Sequence, residues 1–216
     1  MGNDGGTIAR GQDLRAVYAK NDALTHEPIE NLQNSLLSVC SLTSLPLYEH
    51  GQGRAIVSDY QGKLYLKEQL LEFLLSKRSG TLGVSATPRL DHINGLGDFI
   101  DVHVTWSPLG TVTCPVTKTS KTPKSTFVYL RPCGCVFSSR LLSDLRTYRK
   151  VPENEPNAAI VEKCPNCSES FAFNYDVVIL NPQADAAYEE FNSRNFKYLT
   201  EKLHVGHAKK PQKKRK

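Results

Sequence analysis

Two short cysteine pairs carry the clearest chemistry in this chain. Cys133-Gly134-Cys135 and Cys164-Pro165-Asn166-Cys167 are separated by 28 residues. Four thiolates delivered in two tight steps form a tetrahedral sulfur shell, the coordination zinc adopts in structural sites. Gly134 tolerates the positive φ that such a turn needs. The bland alternative is four reduced core thiols. A disulfide framework fits less well, because nothing else in the chain looks secreted. The first residues, Met1-Gly2-Asn3-Asp4-Gly5-Gly6-Thr7, show no apolar signal core. Gly6 stands where a myristoylation pattern requires Ser or Thr. No apolar run reaches membrane-spanning length. A reducing compartment follows, which favours metal over disulfides.

Charge is unevenly distributed. Of 216 residues, 27 are Lys or Arg and 22 are Asp or Glu, a net charge of +5. Lys209, Lys210, Lys213, Lys214, Arg215 and Lys216 place six of those positive charges in the last eight residues. Without that tail, 21 basic residues face 22 acidic ones. The tail reads as a nuclear import signal or a nucleic-acid contact, or simply as a solvated end. A neutral body argues against a broad phosphate-binding face.

The elements that must position the cysteines follow from pattern. Phe127-Val128-Tyr129-Leu130 reads as a strand, with the Cys133 turn after it and Val136-Phe137 extended beyond. Ser138 or Ser139 can cap a helix burying Leu141, Leu142 and Leu145. Pro152–Asn157 is a polar loop leading to the second pair. Val177–Leu180 is a further strand, and a helix with Tyr188, Phe191 and Leu199 follows Pro182. Upstream, Ala55–Val57 reads as a strand. Leu66, Leu70, Phe73 and Leu74 mark one helix face, which ends near Ser76–Gly80 with Lys77 and Arg78 at its negative end. Val102–Trp106 alternates like a strand. Residues 1–20 look extended, and 21–39 carry a short helix or none.

These stretches repeat. Cys-x-x-Thr opens both halves, at Cys40/Thr43 and Cys114/Thr117. A shift of 72 positions lays Gly62 on Gly134, Leu64 on Val136, Tyr65 on Phe137, Leu70 on Leu142 and Phe73 on Leu145. Gln61 and Lys63 stand where the second copy has Cys133 and Cys135, so packing and hydrogen bonds alone must hold the first copy. The order of elements is that of RING and U-box modules. On a RING template Cys133 and Cys135 match the third and fourth ligands and Cys164 and Cys167 the last pair. Thr117 and the missing middle pair abolish the other site. Cys40 and Cys114 are then small buried residues. The expected fold is α+β. An extended N-terminal segment (1–39) precedes a metal-free U-box-like module (40–78) and a linker (79–110). A RING-like module with one structural zinc (111–182), a C-terminal helix (183–208) and a basic tail (209–216) complete it.

Gly2–Ile8, Cys40–Thr43, Lys63-Leu64-Tyr65, His92-Ile93, Cys114-Pro115-Val116, Cys133–Ser138 and Asp176–Asn181 occur in that order. In this the chain resembles the replication termination factor 2 family across residues 1–181. The resemblance implies a nuclear protein with a degenerate RING, acting at stalled or terminating replication forks and in pre-mRNA splicing. Its expected partners are spliceosomal ribonucleoprotein or replication-fork proteins, with RNA contact through the termini and no membrane. A non-enzymatic adaptor is the leading expectation. The alternative is a RING-type ubiquitin or SUMO ligase, which contributes positioning and no catalytic residue. Val116 and Pro165 stand where such a ligase touches its conjugating enzyme, or they merely pack the zinc loops. Ser168 replaces the basic residue expected after the last ligand. His92 and His103 beside Asp98 and Asp101 suit no standard metal set. His204 and His207 are read as adventitious metal binders near the tail.

Overall fold

A computed structural model describes residues 37–49, 52–80, 90–120, 122, 125–148, 161–182 and 186–208. Two three-stranded antiparallel sheets organise it. In the first, β3 (Ile56–Asp59) lies between β4 (Leu64–Leu66) and β5 (Phe99–Asp101). In the second, β8 (Phe127–Leu130) lies between β9 (Val136–Ser138) and β12 (Val177–Ile179). Every residue of both central strands is buried. In β8 (Phe-Val-Tyr-Leu) this matches a continuous apolar and aromatic run where a half-exposed strand would alternate, whereas β3 buries Ser58 and Asp59 after Ile56 and Val57.

Each hairpin runs straight into a helix. After β4 comes α1 (Lys67–Ser79), which buries Leu70 and Leu74 and stops at Gly80, left-handed with φ 69°. After β9 comes α2 (Ser139–Tyr148), which buries Leu142. Its first amide, on Ser139, donates to Thr126 C=O at 2.9 Å. Three two-stranded ribbons complete the sheet structure of the described residues: β1 (Tyr48–Glu49) with β2 (Gln52–Gly53), β6 (Thr105–Trp106) with β7 (Val112–Thr113), and β10 (Val161–Lys163) with β11 (Ser170–Ala172).

The stretch read as a linker, 79–110, supplies β5, which pairs with β3 in the register Val57–Asp101. Leu90 and Ile93 within it are buried at 4% and 0% exposure. Its Gly, Ser and Pro residues read as an open connection. Its described part, from Leu90 on, forms turns instead, with Asp98 accepting from the amides of Asn94 and Gly95. The extended run expected at 102–106 is interrupted, because the His103 amide leaves the sheet to donate to Gly134 C=O at 2.8 Å.

The last helix of the described residues, α3 (Ala186–Glu201), buries two asparagines and one leucine, Asn192, Asn195 and Leu199. Tyr188, expected on its apolar face, is 36% exposed. The helix lies on the edge of β12, where unpaired backbone groups need partners. Asn192 accepts from Ile179 N–H at 2.9 Å and donates to Ile179 C=O at 2.9 Å and Gln61 C=O at 3.2 Å. Asn195 donates to Val177 C=O at 3.2 Å. One continuous core, from Leu37 to Leu180, joins both sheets.

Candidate metal centre

The turn between β8 and β9 holds the first cysteine pair. Gly134 has φ 70°, and its amide donates back to Leu130 C=O at 2.7 Å. A Cβ at Gly134 would stand 2.0 Å from Asp101 C=O, so no other residue fits. The second pair sits on a loop between β10 and β11. There the Cys164 amide donates to Glu169 C=O at 2.8 Å and the Ser168 amide to Cys164 C=O at 2.9 Å, with Ser168 left-handed at φ 63°. The two loops bring the sulfurs of Cys133, Cys135, Cys164 and Cys167 within 4.8 Å of one another.

The donor set fits a metal ion. Four thiolates around one zinc at about 2.3 Å stand roughly 3.8 Å apart, so small side-chain rotations close the shell. Burial is the largest influence on the two thiols of the first pair. Burial raises the Cys133 thiol pKa, and the neighbouring Cys135 and Cys164 sulfurs add to the rise. Burial likewise pushes Cys135 up to about 11, although the Asn166 amide 3.5 Å from its sulfur opposes this. A divalent ion binding here would have to displace those protons, so its affinity would rise with pH. Cys167, at the rim, is lowered by the Glu169 amide.

The geometry of the Cys164 loop recurs twice. At Cys40 the amide donates to Leu45 C=O, Ser44 N–H donates to Cys40 C=O, and Ser44 has φ 57°. At Cys114 the partners are Thr119 and Lys118, with Lys118 at φ 56°. Thr43 and Thr117 occupy the place of Cys167. Cys40 and Cys114 are buried at 1% and 0%. Cys40 Sγ accepts the Leu66 amide at 3.3 Å, at the end of β4. Burial opposes the Cys114 thiolate, but hydrogen bonds from the Thr117 hydroxyl and from the amides of Ser138, Thr117 and Val116 outweigh it and lower its pKa. These two sulfurs serve as hydrogen-bond acceptors for strand ends.

In the first sheet a carboxylate does the tying. Asp59, fully buried, accepts from Lys63 N–H at 2.9 Å, Tyr65 O–H at 2.9 Å and His92 Nε2 at 2.7 Å. It therefore joins the β3–β4 turn to the loop before β5, much as the cysteines join the β8–β9 turn to the loop before β11. Burial and the adjacent Asp59 charge raise the Tyr65 phenol well above its ordinary range. In the second sheet Arg131, which follows β8 as Asp59 ends β3, pairs with buried Asp176 at 2.8 Å. Neither Asp59 nor Arg131 stands out in the sequence, where His92 is weighed only as a metal candidate that suits no standard set. The available signal was a charged residue at the same place in both repeats.

The remaining candidates separate. Val116 is 45% exposed and Pro165 is exposed. His207, read from sequence as able to bind metal adventitiously, is 1% exposed and lies outside the cluster of metal-ligating side chains found among the described residues. Its Nε2 lies 2.8 Å from Tyr129 Oη, and that hydroxyl donates to Asp59 C=O at 2.6 Å. Tyr129 has spent its one proton, so His207 donates from Nε2, and its buried Nδ1 has no hydrogen-bond partner. The tail residues Lys209, Lys210, Lys213, Lys214, Arg215 and Lys216 lie outside the described residues, as do Pro152–Asn157 and the N-terminal segment up to residue 36.

A paired-cysteine turn facing a cysteine loop, beside a β-hairpin and helix, is the arrangement of a RING-type metal site. A family profile described as Rtf2 RING-finger matches residues 1–216. The chain belongs to the Rtf2 RING-finger family. Among relatives, it is 30% identical over 187 residues to splicing factor rtf2 of Schizosaccharomyces pombe, covering 86% of this chain and 67% of that protein. It is 27% identical over 200 residues to replication termination factor 2 of Sus scrofa and 28% over 199 to that of Gallus gallus. In both cases the match covers 84% of this chain and 56% of the relative. The chain thus spans little more than half the length of these two Rtf2 relatives. No helix among the described residues is long and apolar enough to cross a membrane.

Proposed function

We propose that this Rtf2 protein is a nuclear, non-enzymatic adaptor of pre-mRNA splicing, replication-fork stability and termination, or both. The observation that carries the reading is the division of labour between the two sheets. Four cysteines can hold one ion in the second, and the Asp59 network holds the first without any. Two such units, tied in different ways, form a rigid surface for partners. The cysteines Cys133, Cys135, Cys164 and Cys167 bind one structural zinc. The zinc supplies folding energy to loops that carry little apolar surface.

On this reading residues 40–78 are the core of a metal-free U-box-like module and 111–182 a degenerate RING-like module. The 79–110 connection is folded into the first sheet through β5. The flanking 1–39 and 209–216 segments engage spliceosomal ribonucleoprotein or fork proteins, RNA included. The relatives' names support both processes.

The second reading, a ubiquitin or SUMO ligase, is favoured by the exposure of Val116 and Pro165, where a conjugating enzyme would dock. Affinity purification of the tagged full chain from nuclear extract, beside an assay of ubiquitin and SUMO discharge from loaded conjugating enzymes, separates the two. Splicing or fork complexes without discharge support the adaptor. Discharge that Val116→Asp abolishes, with zinc retained, establishes the ligase.

A further inference from the structure

Ile179 on β12 and Asp101 on β5 occupy matching places. Leu180 N–H donates to Phe127 C=O at 2.9 Å and Val102 N–H to Ile56 C=O at 2.9 Å, each one residue beyond the pair in question. In an antiparallel ladder that pattern turns the N–H and C=O of Ile179 and Asp101 away from the central strand. Each carbonyl abuts the glycine of the opposite turn: a Cβ at Gly62 would stand 1.9 Å from Ile179 C=O, and one at Gly134 2.0 Å from Asp101 C=O.

On the β12 side, α3 answers these outward groups. Asn192 takes both polar groups of Ile179 and the carbonyl of Gln61. Phe196 stacks on Tyr60 with ring centroids 3.8 Å apart. On the β5 side no helix of the described residues lies in the corresponding place. There is a groove of about 540 Å³ instead, lined by Leu71, Leu96, Phe99, Asp101, Pro132 and Cys133 among others. The 72-residue shift lays Tyr60 on Pro132 and Gln61 on Cys133. The groove therefore repeats the features α3 uses: an apolar ring beside the turn, a turn carbonyl, and a strand N–H and C=O facing outward. Leu96, 66% exposed, extends its apolar wall.

We propose that this groove is the docking site for an amphipathic helix of a partner protein, with an Asn or Gln at its centre to take the Asp101 backbone and an apolar side chain one turn away against Pro132. The seating of α3 on the matching edge defines that occupant. A second copy of this chain would have to release its own α3 to serve. The docked helix rests on the Cys133 turn, so its binding depends on the metal ion. This deepens the adaptor reading by naming the surface it uses.

The test places photoreactive benzoylphenylalanine at Leu96 in the zinc-loaded full chain, irradiates it in nuclear extract and maps the adducts by mass spectrometry. Expected are adducts within a helical, Asn- or Gln-bearing segment of another protein. They fall at least tenfold with Leu71→Asp and disappear on chelation. Zinc content and melting midpoint are measured for that variant. If Leu71→Asp fails to fold, Lys67→Glu, on the exposed start of α1, reads the same face. Adducts only to a second copy, to residues 1–36 or 209–216, to nucleic acid or to extended peptides overturn the proposal. So does an absence of adducts from Leu96 when the same probe at Leu109, 90% exposed, crosslinks well. If nuclear complexes still co-purify while the groove gives no adduct, the groove assignment falls and the adaptor reading stands. If no complex co-purifies, the adaptor reading falls.

Discussion

At the scale of single residues, atoms that fit only one side chain decide the site. Gly134 combines a left-handed backbone with a carbonyl where its Cβ would be. Gly134→Ala is therefore expected to move the Cys133 turn off Asp101 and to lower bound zinc well below one ion per chain, measured by elemental analysis of purified protein. Asp59 faces three donors with its two carboxylate oxygens. Asn in its place offers one acceptor oxygen and two extra hydrogens, so a buried donor goes unanswered at a cost of about 1–3 kcal/mol. Urea unfolding of Asp59→Asn should show a loss of that order with zinc content unchanged. A loss of zinc would mean that the two tying devices are not independent. Asp59 was legible in the sequence only as a charged residue ending an apolar run. Its acceptor role depends on His92, 33 residues away, which no local pattern announces.

At the scale of elements, β-hairpins and helices follow their composition, and the way they meet does not. The apolar spacing of Leu66, Leu70, Phe73 and Leu74 marks α1, and Gly80 ends it, as the sequence indicates. The α3 helix obeys a different rule. It docks on a strand edge, so its buried face carries Asn192 and Asn195, residues a periodicity analysis counts as polar surface. Asn192→Ala should strip the partners from both polar groups of Ile179 and cost about 2 kcal/mol. Hydrogen exchange would then show faster exchange along 177–181 and 186–201, with α1 unaffected. Were Asn192→Ala as stable as the wild type, the edge-capping role would be wrong.

At the scale of the whole molecule, the segment after α3 binds the two sheets together. Arg131 donates to His207 C=O at 3.0 Å and Ala208 N–H to Gly97 C=O at 2.8 Å. His207 reaches Asp59 C=O through Tyr129. Burial lowers the His207 pKa from 6.5 to about 4. Asp59 and Asp98 oppose that shift and Arg131 reinforces it. The unfolded chain takes up a proton at the ordinary value and the folded chain only near the lowered one. Stability is therefore full above about pH 6.5 and declines as pH falls toward 4, by about 2 kcal/mol at pH 5. His207→Gln should flatten that decline in urea unfolding run between pH 7 and pH 5. Removal of the metal acts elsewhere. Chelation, or Cys164→Ser, should release zinc and deprotect 127–138 and 161–180 in hydrogen exchange before β3, β4 and α1 lose protection. Simultaneous loss across both sheets would show that the ion holds the whole core.

The sequence by itself determined what short-range covalent chemistry can carry: two cysteine steps that each place a pair of sulfurs on one turn, the hairpin-and-helix order repeated after 72 residues, and the strand and helix cores. These are properties of neighbours along the chain, set by backbone geometry and side-chain period. The tertiary structure alone decided that Asp59 meets His92, that Arg131 meets Asp176, that each glycine turn seats on the other sheet, and that His207 is buried between them. Those pairings join residues from 33 to 148 positions apart. Each holds only because a continuous core excludes water and makes an unpartnered polar group costly.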